Sequence, residues 1–411
     1  MGIVPDANQN RPPRINQWSV GFQREITKNF LVEASYVANR AVWLQGDGSL
    51  GILSQLSPKY LASYGLYPIP GTGPVGYDNL NDRNLLTLPL SNPQVIQRFG
   101  NLLPYSGFPT SSTLTAALYP YPQFGNLTVT GSPTGNSKYD SLQVKATKRF
   151  SHGLVASGAY TWGQGFVRAT RQDPYNPASS VWSLQQIPPQ NLNFNANYTV
   201  PKAAFLPRIV NAISKDWQLG FFANYQSGQF LTPPTSTTLN YLTSLEARVP
   251  GVPLYTPGVN INDPSTYNPY FTQVLNPNAW QQCPSNATCT AAPGAGATGN
   301  YYKDFRAPRT PTENANIARN FRLGKEGKYV LQIRGEFVNI FNRTIMPAPT
   351  SSGTNVIPQT APTRNSLGIY NGGWGIINTY LGPNTAYAPP TMTTAPYLEG
   401  RQGTLIGRFS F

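Results

Sequence analysis

Gly403-Thr404-Leu405-Ile406-Gly407-Arg408-Phe409-Ser410-Phe411 closes a 411-residue chain with apolar side chains at 405, 409 and 411 and polar ones at 404, 408 and 410. A period of two sends alternate side chains to opposite faces of a strand, so this stretch predicts a β-strand with one apolar face. Ile406 is the one residue out of step.

The same alternation recurs upstream in proline-free windows, which matter because proline removes a ladder donor and is excluded from central strands. Across 17–39, Trp18, Val20 and Phe22 alternate with Ser19, Gly21 and Gln23. Thr27-Lys28-Asn29 then turns the chain into Phe30, Val32, Ala34, Tyr36 and Ala38. Across 139–162, Leu142, Val144 and Ala146 turn at Ser151-His152-Gly153 and return through Leu154, Ala156, Tyr160 and Trp162. From Asn191 a face of Leu192, Phe194, Ala196, Tyr198 and Val200 opposes one of amides and a hydroxyl. Residues 201–216, with a short amphipathic helix expected around 205–213, join it to Trp217, Leu219, Phe221, Ala223 and Tyr225. A further hairpin runs from about Glu313 through Gly324-Lys325-Glu326-Gly327 to about Phe341.

With the terminal strand this predicts about nine antiparallel strands, each near the ~9–11 residues that a tilted strand needs to cross a bilayer. Three turns are short. The connections near 40–138, 163–190, 226–312 and 342–401 are long and rich in Pro, Gly, Asn, Ser, Thr and Tyr. Short turns on one side and long loops on the other are the pattern of outer-membrane barrels. Trp18, Trp43, Tyr160, Trp162, Tyr198, Trp217, Tyr225 and Tyr329 collect near strand ends, where amphipathic rings meet the lipid–water boundary. A soluble β-sandwich would show the same alternation but accounts less well for the unequal loops.

Composition agrees. Charged residues are 11% and hydrophobic ones 39%, while aromatics reach 12%. No apolar run approaches the ~20 residues of a spanning helix, and a mean hydropathy of -0.33 is no objection to a barrel, whose strands touch lipid with alternate residues only. The formal charge of +14 comes from scattered Lys and Arg, not from a basic run, which argues against nucleic acid and for anionic headgroups. Arg24, Lys148 and Arg319 fall on the expected lipid face. The first two lie beside short turns, where a cation can snorkel, and Arg319 has no such explanation.

Several segments together carry a family resemblance: Gln17-Trp18-Ser19-Val20-Gly21-Phe22-Gln23-Arg24-Glu25, Tyr139-Asp140-Ser141-Leu142-Gln143-Val144-Lys145, Lys148-Arg149-Phe150-Ser151-His152-Gly153, Tyr160-Thr161-Trp162 and Arg334-Gly335-Glu336-Phe337-Val338-Asn339-Ile340-Phe341-Asn342. In order and spacing they resemble the Oar-like branch of TonB-dependent outer-membrane transporters. Leu405, Phe409 and Phe411 likewise resemble the C-terminal insertion signal read by the barrel-assembly machinery. The resemblance implies a 22-stranded barrel plugged by an N-terminal domain that contacts the energy-coupling TonB protein. It covers only the last nine strands, so residues 1–411 are expected to be the C-terminal portion of such a barrel, an incomplete all-β fold without plug or signal peptide. Met1 to Arg14 has no apolar core. The bacterial outer membrane and its lipid are then the expected setting.

Catalytic chemistry is not indicated. His152, the single histidine, sits in a turn with no nucleophile motif near it. No phosphate-binding glycine loop occurs, and the acids are spread out. The expectation is a non-enzyme without cofactor or metal. Cys283 and Cys289 read as a loop disulfide, since two thiols offer too few ligands for a metal. Arg334, Glu336, Lys145 and Arg149 are expected to face the lumen, either as a salt-bridge network or as contacts to a plug. Active uptake of a solute is the function implied by the resemblance. A passive porin-like or surface-adhesion barrel is the alternative, and a secreted carbohydrate-binding β-protein is a third reading.

Overall fold

A computed structural model describes residues 2–3, 11–45, 56, 64, 85–125, 128–129, 133–168, 182–201, 216–236, 244–281, 302–323, 329–353, 356–377 and 400–411. Its main sheet contains nine long strands: β1 (Arg14–Thr27), β2 (Phe30–Leu44), β3 (Gly135–Ser151), β4 (Leu154–Arg168), β5 (Gln190–Thr199), β6 (Trp217–Gln226), β7 (Thr310–Leu323), β8 (Tyr329–Val338) and β9 (Gln402–Ser410). Each is antiparallel to its sequence neighbours in an uninterrupted meander from β1 to β9, and the two-residue strand Ser183–Leu184 adds to β4. The sheet is not closed: β1 and β9 each pair on one side only.

Register fixes the two faces. One row runs Trp18, Ala38, Asp140 and Gln164 near the long loops. The next runs Tyr36, Leu142, Trp162 and Gln190, and the next Ala34, Val144, Tyr160, Leu192 and Tyr225. Beyond β6 the same face continues through Ala315 and Phe337, Ile317 with Gly335 and Leu405, and Leu331 with Phe409. A single apolar surface therefore spans nine strands. Many of its large side chains, Phe22, Trp162, Leu219, Ile333 and Leu405 among them, are exposed. Exposed apolar surface of this extent marks a contact with something apolar, and a row of girdle aromatics above and below identifies it as lipid.

Because the meander alternates direction, the connections at 28–29, 152–153, 200–216 and 324–328 lie at one end. Those at 45–134, 169–189, 227–309 and 339–401 lie at the other. The helix expected around 205–213 and the turn at Gly324–Gly327 lie outside the described residues. Strands run further toward the long-loop end than the sequence suggests. β2 continues to Leu44, β4 to Arg168, and β7 begins at Thr310 with Pro311 inside it. Proline is tolerated there because β8 pairs with β7 only from Ala315 onward, so Pro311 has a ladder neighbour on one side alone.

Arg319, unexplained from sequence, is accounted for by its neighbours. It pairs with Trp217, the first residue of β6, which places it near the short-turn end. Its guanidinium lies 5.4 Å from the Trp217 ring centroid and 4.9 Å from that of Phe321. Two π faces compensate a cation that lipid alone would not.

The long loops fold into bodies of their own. In the β2–β3 loop, Leu86, Leu90, Val95, Leu114 and Leu118 form a buried cluster around helix α1 (Pro93–Phe99) and the single turn α2 (Leu114–Ala117). Asn92 caps α1 by accepting from the Gln94 N–H at 2.9 Å, with Pro93 at the first helical position, which needs no donor. The β6–β7 and β8–β9 loops together form a second body around Leu254, Leu275, Trp280, Phe305 and Trp374.

Candidate functional site: the polar inner wall and its loop cap

The face opposite the lipid surface is mainly polar, interrupted by Val155, Phe222, Val338 and Ile406. On β5, Asn191, Asn193, Asn195 and Asn197 occupy successive inner positions and face Gln226, Asn224, Phe222 and Gly220 of β6. The amides satisfy one another: the Asn224 Nδ2 donates to Asn191 Oδ1 at 2.9 Å and to Asn193 Oδ1 at 2.6 Å, and Asn195 Nδ2 donates to Ser157 Oγ at 2.8 Å. On β7 and β8, Gln332 Nε2 donates to Asn320 Oδ1 at 2.9 Å. Gly220 leaves room for this packing, since a Cβ there would lie 2.4 Å from the Asn316 amide. A hollow of about 500 Å³, lined by Gln23, Glu33, Ser35, Gln143, Lys145 and Thr161 among others, lies against the inner face of β1–β4.

Charges on this wall occur as separate pairs. Arg334 Nε lies 2.9 Å from Glu336 Oε1 on β8, and Lys145 Nζ lies 3.6 Å from Glu33 Oε2 between β3 and β2. Strands β4–β7 separate the pairs. Arg149 joins neither: its backbone N–H donates to the Asn29 carbonyl at 2.8 Å, and its side chain is exposed beside the β3–β4 turn. Half-exposed pairs of this kind are worth about 0–1 kcal/mol each, so they contribute little to holding the sheet together.

A third pair sits on the opposite face at the loop end. The Arg40 guanidinium reaches both Asp140 oxygens, at 2.9 and 3.0 Å, donates to the Tyr139 carbonyl at 3.0 Å, and lies 5.4 Å from the Trp18 ring centroid. The Tyr36 hydroxyl also donates to Asp140. Neutralised charge beside a Trp ring belongs at the water boundary, not at the bilayer centre. Glu313 on β7 is fully buried near the same end, with the Arg343 guanidinium 3.2 Å from its Oε1 and the Ile340 N–H donating to its carbonyl at 2.9 Å.

The β6–β7 and β8–β9 loops are interlocked. Gly375 accepts from the Val274 N–H at 2.6 Å, Gln273 Nε2 donates to the Trp374 carbonyl at 2.8 Å, and Trp280 meets Phe305 and Trp374 at centroid distances of 5.3 and 6.2 Å. Beside this cluster a cavity of about 670 Å³ opens between Ile261, Tyr267, Arg309, Arg343 and Met346. Burial pushes the Tyr267 hydroxyl up to about 12, and its oxygen is buried without a hydrogen-bond partner. Glu246, 3% exposed, accepts from Gln359 Nε2 at 3.1 Å through Oε2 only. Nothing in Leu245-Glu246-Ala247-Arg248 announces this residue, because its burial depends on Gln359, 113 residues away.

Loop tyrosines serve the cap itself. Tyr302 packs edge-on against Trp280 at 5.2 Å, Tyr119 packs on the β2–β3 loop core, and the Arg364 guanidinium stacks 3.9 Å from the Tyr370 centroid. Among the described residues no three His, Cys, Asp or Glu side chains come together as metal ligands would. Cys283 and Cys289 lie outside the described residues. At the C terminus, Leu405, Phe409 and Phe411 are exposed, and the Phe409 ring stacks on Tyr329 at 5.9 Å.

A family model described as "Outer membrane beta barrel domain" matches residues 3–368. No curated protein matches the chain. Among solved structures, the outer membrane transporter YddB from Escherichia coli matches at 9% identity and a TM-score of 0.32, over 84% of this chain. The chain spans 30% of the length of that protein.

Proposed function

Because the chain belongs to the outer-membrane β-barrel domain family, we propose that it forms part of the barrel of an active-transport receptor. In this reading a solute crosses the outer membrane with force relayed by a periplasmic energy-coupling protein of the TonB type. The carrying observation is the unclosed meander. β1 and β9 run in the same direction and each leaves an edge unpaired, so a wall of antiparallel neighbours needs further strands between them. The rest of the barrel, the plug and the coupling segment then come from another part of the polypeptide, in keeping with the resemblance of the strand segments to the Oar-like branch. Leu405, Phe409 and Phe411 present the terminal strand to the barrel-assembly machinery. The protein is a carrier and not an enzyme. It uses no cofactor, and its partners are outer-membrane lipid and the coupling protein, not nucleic acid.

Uptake by cells producing the full reading frame tests this. Ferric siderophores, oligosaccharides and peptides are offered in turn, with and without a protonophore. One class should accumulate above its external concentration, and the protonophore should abolish the excess. Equilibration that ignores the protonophore, with a steady open conductance in planar bilayers, would instead establish a passive porin.

A further inference from the structure

We propose that Glu246 is a proton-operated latch between the β6–β7 loop and the β8–β9 loop. The residue sits between two short strand pairings of its own loop: Ser244–Leu245 with Thr235–Ser236, and Ala247–Arg248 with Trp280–Gln281. That placement fixes its backbone on both sides, and its own N–H donates to the Pro234 carbonyl at 2.9 Å.

The other loop contributes Gln359. Its Nε2 donates to Glu246 Oε2 at 3.1 Å and to the Trp280 carbonyl at 3.0 Å, so one amide clasps two points of the opposite loop. Glu246 Oε1 is buried without a hydrogen-bond partner, as are the Nε1 atoms of Trp280 and Trp374. The surrounding segments carry Arg248, Lys303, Asp304, Arg306 and Arg364. Arg248 is committed to Asp304 at 2.8 Å, Arg306 donates to the Lys303 carbonyl, and Arg364 donates to the Gly368 carbonyl. Among the described residues none is paired with Glu246. A buried carboxylate held by one neutral amide is poorly compensated, whereas a protonated carboxyl is tolerated.

Burial accordingly raises this carboxyl from 4.5 to about 7, with the Gln359 hydrogen bond opposing the rise. A loop that opens returns Glu246 to its ordinary value. Between the two values the closed form holds a proton that the open form releases, so closure is fully favoured below about pH 4.5 and is lost as pH rises through about 7. An acid exterior therefore tightens the cap, and a neutral or alkaline one loosens it. The inference concerns the loops alone and stands whether the barrel transports actively or passively.

Acrylamide quenching of tryptophan fluorescence reads the latch, because Trp280 and Trp374 are buried in the closed cap. With the full-length protein in detergent, quenching should rise between about pH 4.5 and 7, with its midpoint inside that window and a plateau above it, and Glu246→Gln should abolish that rise. Gln359→Leu removes the clasp on both Glu246 and the Trp280 carbonyl, weakens closure, and should move the midpoint downward. A flat wild-type profile, the same midpoint in Glu246→Gln, or an unmoved midpoint in Gln359→Leu would overturn the proposal.

Discussion

At the level of single residues, the tight points of the sheet are set by contacts that no local pattern encodes. The turn between β3 and β4 consists of His152 and Gly153, with φ values of 52° and 82°, the pair of left-handed residues that a two-residue hairpin favours. Ser151-His152-Gly153 is readable as a turn for that reason. Gly153 has a second duty: it accepts from the Thr199 N–H at 2.8 Å, and a Cβ at 153 would lie 2.2 Å from the Thr199 carbonyl. Gly153→Ala should therefore cost about 1–3 kcal/mol, combining a strained φ with a backbone clash. Urea unfolding in lipid vesicles measures it, and an unchanged midpoint would mean that the turn can move away from β5. Arg319 teaches the same lesson. Its own sequence reads as an error on a lipid face, because one of the two rings that compensate it, Trp217, stands 102 residues earlier, and only the structure brings Trp217 and Phe321 to it together.

Elements divide into those with a period and those without. The nine strands are legible because lipid on one side and water on the other force an alternation that survives in a single sequence. Their ends blur where neither solvent is enforced, which is why β2, β4 and β7 overrun the reading. The loops have no period at all: Pro, Gly, Asn and Tyr announce irregular chain and conceal three packed clusters among the described residues. Helix α1 in the long connection near 40–138 is not expected from the sequence reading, and the structure shows it capped by Asn92 with Pro93 at its first position. The segment after β8 shows how such a loop is fastened. Arg343 and the Ile340 N–H both engage Glu313, so the loop is pinned to β7 over a fully buried carboxylate. Arg343→Ala strands that charge and should destabilise the barrel by about 1–3 kcal/mol, less than the ~3–5 of a fully buried pair because Arg343 is half exposed. Glu313→Gln should cost less. Thermal loss of the compact gel form ranks the two, and the reverse order would refute this account.

For the whole molecule, the decisive property is parity. Nine antiparallel strands leave β1 and β9 parallel, so joining them would demand a seam unlike every other pairing in the sheet. Refolded alone into detergent, the 411-residue chain should associate through its edges and show no compact monomer that changes mobility on heating. A monodisperse, heat-modifiable monomer would show that the two edges meet. Function was less legible than fold, because the inner wall consists of amides that hydrogen-bond one another and of isolated ion pairs. Such residues describe a wall that faces water and carry no mark of a ligand.

The strict neighbour-to-neighbour order of the meander also has a mechanical meaning. Each strand is held by ladders to the strands before and after it in sequence, so tension on the C terminus would unzip one hairpin at a time instead of shearing the whole sheet. The cap interrupts that unzipping. The β8–β9 loop is locked to the β6–β7 loop through Trp374, Gly375 and Gln273, so extraction should pause after β9 until the cap comes apart.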